Sequence, residues 1–430
     1  MVKTRFAPSP SGYLHIGGVR TALYAWLYAK NQGGEFLLRI ENTHIQRSSQ
    51  ESIDSIMEGL EWLGLYHDGE VIEQKDRFDI YQKKANQLIE EGKAYESEGA
   101  VRLKSDRTSS VIISDHVFGD VEVKSDELDD FIIMRSNGAP TYHLAVVIDD
   151  HESGITHVMR GDDHLKNTAR HIQLMEAFDY PIPQFVHLPM ILGSDGSRLS
   201  KRHGAMNVLH YRDEGFSSEA LLNYLVRLGW SKGDKEIFSL KEMIDGFDLS
   251  GINKASAKFD IEKLRWVNQQ HLMHTNNDQL KLMVESQSEI AKNLNDETLS
   301  NFIDAYKNRA NTINDLVSSC DKLFSTELNY DQASAKKFLK KKIISPLEDV
   351  ADALKNSDWN QESISEVLKS VCDKHEIGFG KIGQPIRIAV TGGTQSPSID
   401  QTLILLDQET VIDRIEAAIA YIYENSNEET

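Results

Sequence analysis

Residues 9–18 read Ser-Pro-Ser-Gly-Tyr-Leu-His-Ile-Gly-Gly, between a short strand-like run and a helix-like run. Pro8 and Pro10 favour an extended chain, and Gly12, Gly17 and Gly18 allow a tight turn. A strand, a glycine-rich turn and a helix N-terminus together bind anions, because unpaired backbone N–H groups point outward there. Gly12 and Gly17 have the glycine spacing of a Walker A loop, yet Gly18 and Val19 stand where that loop needs Lys and Ser or Thr. The G-x-G-x-x-G dinucleotide pattern is absent as well. Kinase and dehydrogenase chemistry are therefore disfavoured. The loop offers His15 instead, whose imidazole can donate a hydrogen bond to a phosphate oxygen. A second loop, Gly193 to Ala205 (GSDGSRLSKRHGA), carries Arg198, Lys201 and Arg202. Three cations on a flexible loop after a strand can clamp a polyphosphate, and open α/β sheets bind ligands at that edge.

The elements that must position these loops follow from hydrophobic periodicity. MVKTRF, EFLLRI, TYHLAVVI and FVHLPMIL read as strands. VRTALYAWLYAK, DSIMEGLEWLGL and RFDIYQKKANQLIEEGKAY read as helices. Their alternation over the first 210 residues predicts an α/β domain with a parallel sheet. Between Glu96 and Arg135 short alternating runs (SVIISDHVFGDVEVK) predict antiparallel pairing, in a segment inserted between the two halves of the sheet. After Gly215 the strand signal fades. SSEALLNYLVRLGW opens with an N-cap serine, and amphipathic windows continue to ETVIDRIEAAIAYIY, so the C-terminal half is expected to be all-helical.

Composition narrows the class. The chain has 430 residues, 40% hydrophobic and 27% charged, enough for two to four soluble domains. No apolar run approaches a membrane span, and MVKTRFAPSP lacks a signal core, so the expected location is the cytoplasm. The only cysteines, Cys320 and Cys372, predict neither a disulfide framework nor a cysteine-rich zinc site. The net charge of −20 argues against nucleic-acid binding as a sum. Binding depends on local patches, however, and Ala335–Lys342 (AKKFLKKK) is one basic cluster.

His15-Ile16-Gly17-Gly18 with Arg198-Leu199-Ser200-Lys201-Arg202 resembles the two signature motifs of class I aminoacyl-tRNA synthetases. RFAPSPSGYLHIGGVRTALYAWLYAK, ITHVMRGDDHLKNTARHIQL, FDIEKLRWVNQQHL and GKIGQPIRIAVTGGTQSPSI resemble the bacterial glutamyl members, in order and across nearly the whole chain. The resemblance implies a Rossmann-like catalytic domain over 1–95 and 136–210, with a shortened acceptor-stem-binding insertion over 96–135. All-α parts follow: a stem-contacting region over 211–300 and an anticodon-binding domain over 301–430. It implies ATP-dependent activation of L-glutamate and transfer to a tRNA 3′ end, with Mg2+ carried by ATP, by a monomer. His15 and Lys201 would be catalytic. Pro8, Ser9, Gly12, His15, Gly17, Gly18, Asp163, Arg198, Ser200, Lys201 and Arg202 would bind ATP. Arg5, Ser9, Glu41, Tyr142 and Arg160 would bind glutamate: Arg5 would take the side-chain carboxylate, which an arginine fork suits, Glu41 the ammonium, and Ser9, Tyr142 and Arg160 would complete the pocket.

Two departures stand out. The family reads Glu-Asp-Thr-Asp where this chain has Glu41-Asn42-Thr43-His44, at an edge expected near the tRNA 3′ end. The insertion also lacks the family's zinc-binding knob: only five residues separate Tyr95 from Val101, and no cysteine precedes Cys320. No zinc or other protein-held metal is expected. The alternatives are a paralogue charging glutamate onto a glutamine tRNA or a tRNA subset, and a catalytically silent RNA-binding relative.

Overall fold

The computed structural model describes residues 1–44, 46, 48–199 and 206–425. Ser200, Lys201 and Arg202 lie outside the described residues. The chain divides into two compact units, Met1–Asn268 and Gln269–Thr430, and the division falls within the region expected to contact the stem.

The first unit opens with β1 (Lys3–Phe6), α1 (Ile16–Asn31) and β2 (Glu35–Ile40), with β1 and β2 parallel. α1 is covered nearly all round, with Ile16, Val19, Leu23, Tyr24 and Leu27 buried. Such burial makes its apolar run almost continuous. α2 (Gln50–Trp62), capped by Ser49, buries Ile53, Ile56 and Leu60 at helical spacing. β3 (Ile72–Glu73) extends the first sheet beyond β2, and α3 (Phe78–Glu90) follows.

Residues 96–135 are shared between two sheets. β4 (Ala94–Ser97), β5 (Ala100–Leu103) and β8 (Phe131–Met134) form an antiparallel sheet. The hairpin of β6 (Val111–Asp115) and β7 (Gly119–Val123) instead joins β10 (Gln184–Leu188), which pairs in parallel with β9 (His157–Gly161). β9 also lies beside β1. There Thr156 N–H donates to Lys3 O at 3.0 Å, and Lys3 N–H donates to Thr156 Oγ1 at 2.9 Å.

One predicted strand is corrected. TYHLAVVI forms α4 (Tyr142–Glu152), not a strand. Leu144 through Asp150 are all buried, and a helix buried on every side gives the same continuous apolar run as a central strand. α4 packs against α5 (Leu165–Ala177). Beyond β11 (Ile191–Leu192) come α6 (Val208–Asp213), α7 (Ser218–Arg227), α8 (Leu240–Gly246), β12 (Ala257–Lys258) and α9 (Ile261–His274).

The described part of the second unit is helical, from α10 (Asn277–Gln287) to α19 (Gln408–Asn425), around one apolar core. Cys320 and Cys372 are buried free thiols there. Lys336, Lys337, Lys340, Lys341 and Lys342 are exposed. Among the described residues no helix is long and apolar enough to cross a membrane.

Candidate active site

Parallel strands end on one side of a sheet, and the chemistry collects there. In spatial order, β6 ends at Asp115, β10 carries His187, β9 carries Arg160, β1 carries Arg5, and β2 carries Arg39 with Glu41 just beyond it. Register pairs His187 with Arg160. α4 and α5 supply the rest: Tyr142, Asp149, Asp150, Thr168 and His171. A cleft of about 430 Å³ at this edge is lined by Arg5, Ser9, His15, Gly17, Gly18, Glu41, Tyr142, Arg160, Asp163 and Arg198. Ten of the sequence-predicted residues thus meet in one place. Pro8 stands behind it, its carbonyl accepting from Glu41 N–H at 2.9 Å. Gly12 is on the open side of the turn, where an added Cβ would meet nothing within 4 Å. A second cavity, of about 1100 Å³, lies in the helical unit and holds none of the predicted residues.

His15 is the N-cap of α1. Its Nδ1 accepts from Gly17 N–H at 3.1 Å and Gly18 N–H at 3.3 Å. A Cβ on Gly17 would stand 3.0 Å from the His15 ring, so a larger residue there would push the ring from its capping position by a few tenths of an ångström. Partial desolvation and the Arg198 cation lower the imidazole's pKa, favouring the neutral form. A neutral ring accepting at Nδ1 carries its proton on Nε2. The cap therefore fixes the tautomer that can donate to a ligand in the cleft. Arg198 pairs with Asp163 at 3.3 Å. Leu199 N–H donates to Ile191 O at 3.1 Å, and Asn207 forms a β-bridge with His15. The described residues on either side of 200–205 thus both border the cleft.

The floor is ionic. Arg5 sets its Nε and Nη2 on Asp150 at 3.0 and 3.1 Å, and Nη1 on Met159 O at 3.3 Å. Arg39 donates to the same Asp150 at 2.6 Å and to Glu41 at 3.1 Å. Burial alone would raise the Asp150 carboxyl, but Arg39 and Arg5 outweigh it and bring its pKa down to about 2. Burial raises Glu41, and Arg39 and Arg5 only partly offset that. Asp149, with Arg77 at 2.9 Å and Tyr81 at 2.9 Å, completes the buried web.

Arg160 is held differently. Its Nη1 donates to Tyr142 Oη and to His171 Nδ1, both at 3.2 Å. Nε donates to His187 Nε2 at 3.2 Å, and Nη2 to Thr168 Oγ1 at 2.6 Å. Every one of these partners is uncharged when its ring or hydroxyl is neutral. Sequence reasoning missed Asp150, Arg39, His171, His187 and Thr168; of these, Asp150 is 145 residues from its partner Arg5.

Asn42 is buried. Its amide donates to Glu73 at 2.9 Å and accepts from Lys75 N–H at 2.9 Å, which ties the end of β2 to the chain after β3. An aspartate there would accept from Lys75 but face the Glu73 carboxylate.

Comparison with known proteins agrees with this geometry. Residues 1–100 and 96–266 match the family model described as tRNA synthetases class I (E and Q), catalytic domain. Residues 270–419 match the anticodon binding domain. The fold is similar to a glutamate tRNA ligase from Elizabethkingia meningosepticum, solved in complex with its amino acid. The two are 31% identical over 98% of this chain and 99% of that one, with a TM-score of 0.85. Glutamate-tRNA synthetase from Elizabethkingia anophelis is also 31% identical, over 97% and 99%, with a TM-score of 0.82. The chain belongs to the class I tRNA synthetases (E and Q), and it is an aminoacyl-tRNA ligase with a catalytic domain and an anticodon-binding domain.

Proposed function

We propose that the enzyme is a glutamate–tRNA ligase. It joins L-glutamate to ATP as glutamyl-adenylate and passes the glutamyl group to the 3′ end of a glutamate tRNA. The observation that carries this reading is Arg160, 6% exposed and held by no carboxylate among the described residues. A buried cation without an anion is costly unless a ligand supplies one. Glutamate's side-chain carboxylate is that anion. Arg5 keeps two N–H groups beyond those bonded to Asp150 and Met159, and it assists Arg160. Glu41 receives the substrate's ammonium, and Ser9 and Tyr142 close the pocket.

In the first step a carboxylate oxygen of glutamate attacks the α-phosphorus of ATP, and the bond to pyrophosphate breaks. In the second, a ribose hydroxyl of the tRNA attacks the glutamyl carbonyl and AMP leaves. The protein orients the reactants and stabilises phosphate charge in flight. His15 donates from Nε2 to the phosphates. Gly17 and Gly18 leave room for them, while Asp163 and Arg198 bound the nucleotide end of the cleft. Lys201, with Ser200 and Arg202 beside it, neutralises the departing pyrophosphate. Magnesium enters with ATP and is held through its phosphates. Among the described residues no group of three or more His, Cys, Asp or Glu could hold a metal ion. The shortened insertion works without a cysteine-ligated zinc, since the first cysteine is Cys320.

Asn42 and His44, with the deleted knob, motivate a reading with altered tRNA choice, but the Asn42 amide is buried against Glu73 and Lys75 and gives that reading no support. The test is ATP-dependent charging of separately transcribed glutamate and glutamine tRNAs with labelled glutamate. Charging of the glutamate tRNA is expected. Charging of the glutamine tRNA alone would replace this function with the paralogue's.

A further inference from the structure

Arg160 is caged by neutral acceptors whose tautomers its own protons dictate. A guanidinium only donates. His187 Nε2 must therefore accept from Arg160, which leaves the His187 proton on Nδ1, 2.7 Å from Asp115 Oδ2. His171 Nδ1 must likewise accept, which leaves its proton on Nε2, 3.2 Å from His143 Nδ1. Tyr142 accepts from Arg160, and its hydroxyl reaches His164 Nδ1 at 2.9 Å. Thr168 and His187 have no exposed surface, and His171 has 2%. Burial, reinforced by Arg160, lowers the pKa of His171, and burial lowers that of His187. The imidazoles are thus neutral near pH 7.

A carboxylate is the ordinary partner for a buried arginine, and Arg5 on the neighbouring strand has one in Asp150. Around the floor, Arg5, Arg39 and Arg160 stand against Glu41 and Asp150, while Asp149 is matched by Arg77. Asp115 adds a further buried carboxylate, but it meets the His187 ring rather than Arg160, whose own fork is left without a contacting anion among the described residues. Glutamate, carrying two carboxylates and one ammonium, brings one negative charge, and glutamine brings none.

We propose that His171, His187 and Thr168 are specificity-determining positioning residues: as neutral acceptors they fix the Arg160 fork without spending its charge, so only a side-chain carboxylate satisfies the pocket. The inference rests on the glutamate–tRNA ligase reading. It predicts that charge, not shape, matters at these positions.

Matched pairs of variants separate charge from shape: His171→Gln against His171→Glu, and Thr168→Asn against Thr168→Asp. For each, tRNA charging gives kcat, KM for glutamate, KM for ATP and the inhibition by glutamine. The amide variants are expected to keep the preference for glutamate over glutamine. The acidic variants are expected to raise KM for glutamate about 10- to 100-fold, the worth of a charge-assisted hydrogen bond, and to erase the preference, with KM for ATP unmoved. Equal losses within each pair would show a packing role and overturn the proposal. Wild-type enzyme that charges no tRNA with glutamate would instead overturn the ligase reading beneath it. If the acidic variants do not fold, nitrogen-15 NMR of histidine-labelled wild type decides. Neutral rings at pH 7, with the proton on Nε2 of His171 and on Nδ1 of His187, support the cage. An imidazolium at either residue contradicts it.

Discussion

Two arginines on adjacent strands of one cleft are buried to the same degree and held by opposite chemistry. Arg5 is 4% exposed and gives its fork to Asp150, which Arg39 shares; Arg160 is 6% exposed and, among the described residues, hydrogen-bonds only to tyrosine, threonine and histidine side chains. The first arrangement spends three of its five N–H groups inside the protein and suits a frame that lends the ligand only the remaining two. The second is electrostatically open and suits a ligand. Burial alone would not distinguish them. The partner list does, and it assigns stability to the floor and selection to the wall.

The largest expected effect breaks the floor. Asp150→Ala leaves Arg5 and Arg39 buried without their shared anion, and losing one partner of a buried pair costs about 3–5 kcal/mol. Urea unfolding should show an unfolding free energy lower by that amount, read as the fall in midpoint multiplied by the slope. A change below about 1 kcal/mol would mean that the web carries little of the fold. The Asp150 contribution also has a pH window. Its folded pKa of about 2 lies below the unfolded value near 3.9. The stabilisation is therefore complete above about pH 4 and is lost as pH falls through about 2.

On the wall, Arg160→Lys keeps the charge and discards the planar fork that reaches four acceptors at once. A loss of about 10- to 100-fold in kcat/KM for glutamate is expected, with KM for ATP little changed. Equal loss against both substrates would place Arg160 in the frame with Arg5 and erase the contrast.

The smallest effect comes from pH, and it runs in opposite senses in the two regions. Burial, to which the nearby Asp150 carboxylate adds, raises Glu41 despite Arg39 and Arg5, so it protonates at a higher pH than an ordinary carboxylate. The wall histidines shift downward, His143 to about 4. As pH falls from neutral, glutamate binding should weaken first through loss of the Glu41 anion, about tenfold for each pH unit below its pKa. KM for ATP should stay flat over that range. A glutamate KM that is flat down to the normal carboxylate range would remove Glu41 as the ammonium partner.

How much of this the sequence revealed follows from the range of the interactions. The strand, turn and helix around His15 were legible because prolines, glycines and an apolar period act over a few residues. The EFLLRI strand and the Ser217-capped helix were legible for the same reason. α4 was misread because complete burial hides the helical period. The correction matters to the site, since a helix sets Asp149 and Asp150 two turns from Tyr142 and lets one element serve both arginines. Resemblance supplied Arg5, Glu41, Tyr142 and Arg160 by residue. It did not supply what holds them: the partners of Arg160 come from one strand and two helices, and no local pattern marks a histidine as a neutral acceptor.

Selection of a side-chain carboxylate by the cleft is what joins the unpaired fork of Arg160 to the choice of substrate. It is tested most directly by charging a glutamate tRNA with the purified enzyme, ATP and magnesium, supplying labelled glutamate or labelled glutamine at equal concentration. Efficient transfer of glutamate and no measurable transfer of glutamine are expected. Transfer of glutamine at a comparable rate would show that the unpaired charge of Arg160 does not choose the substrate, and would contradict that selection.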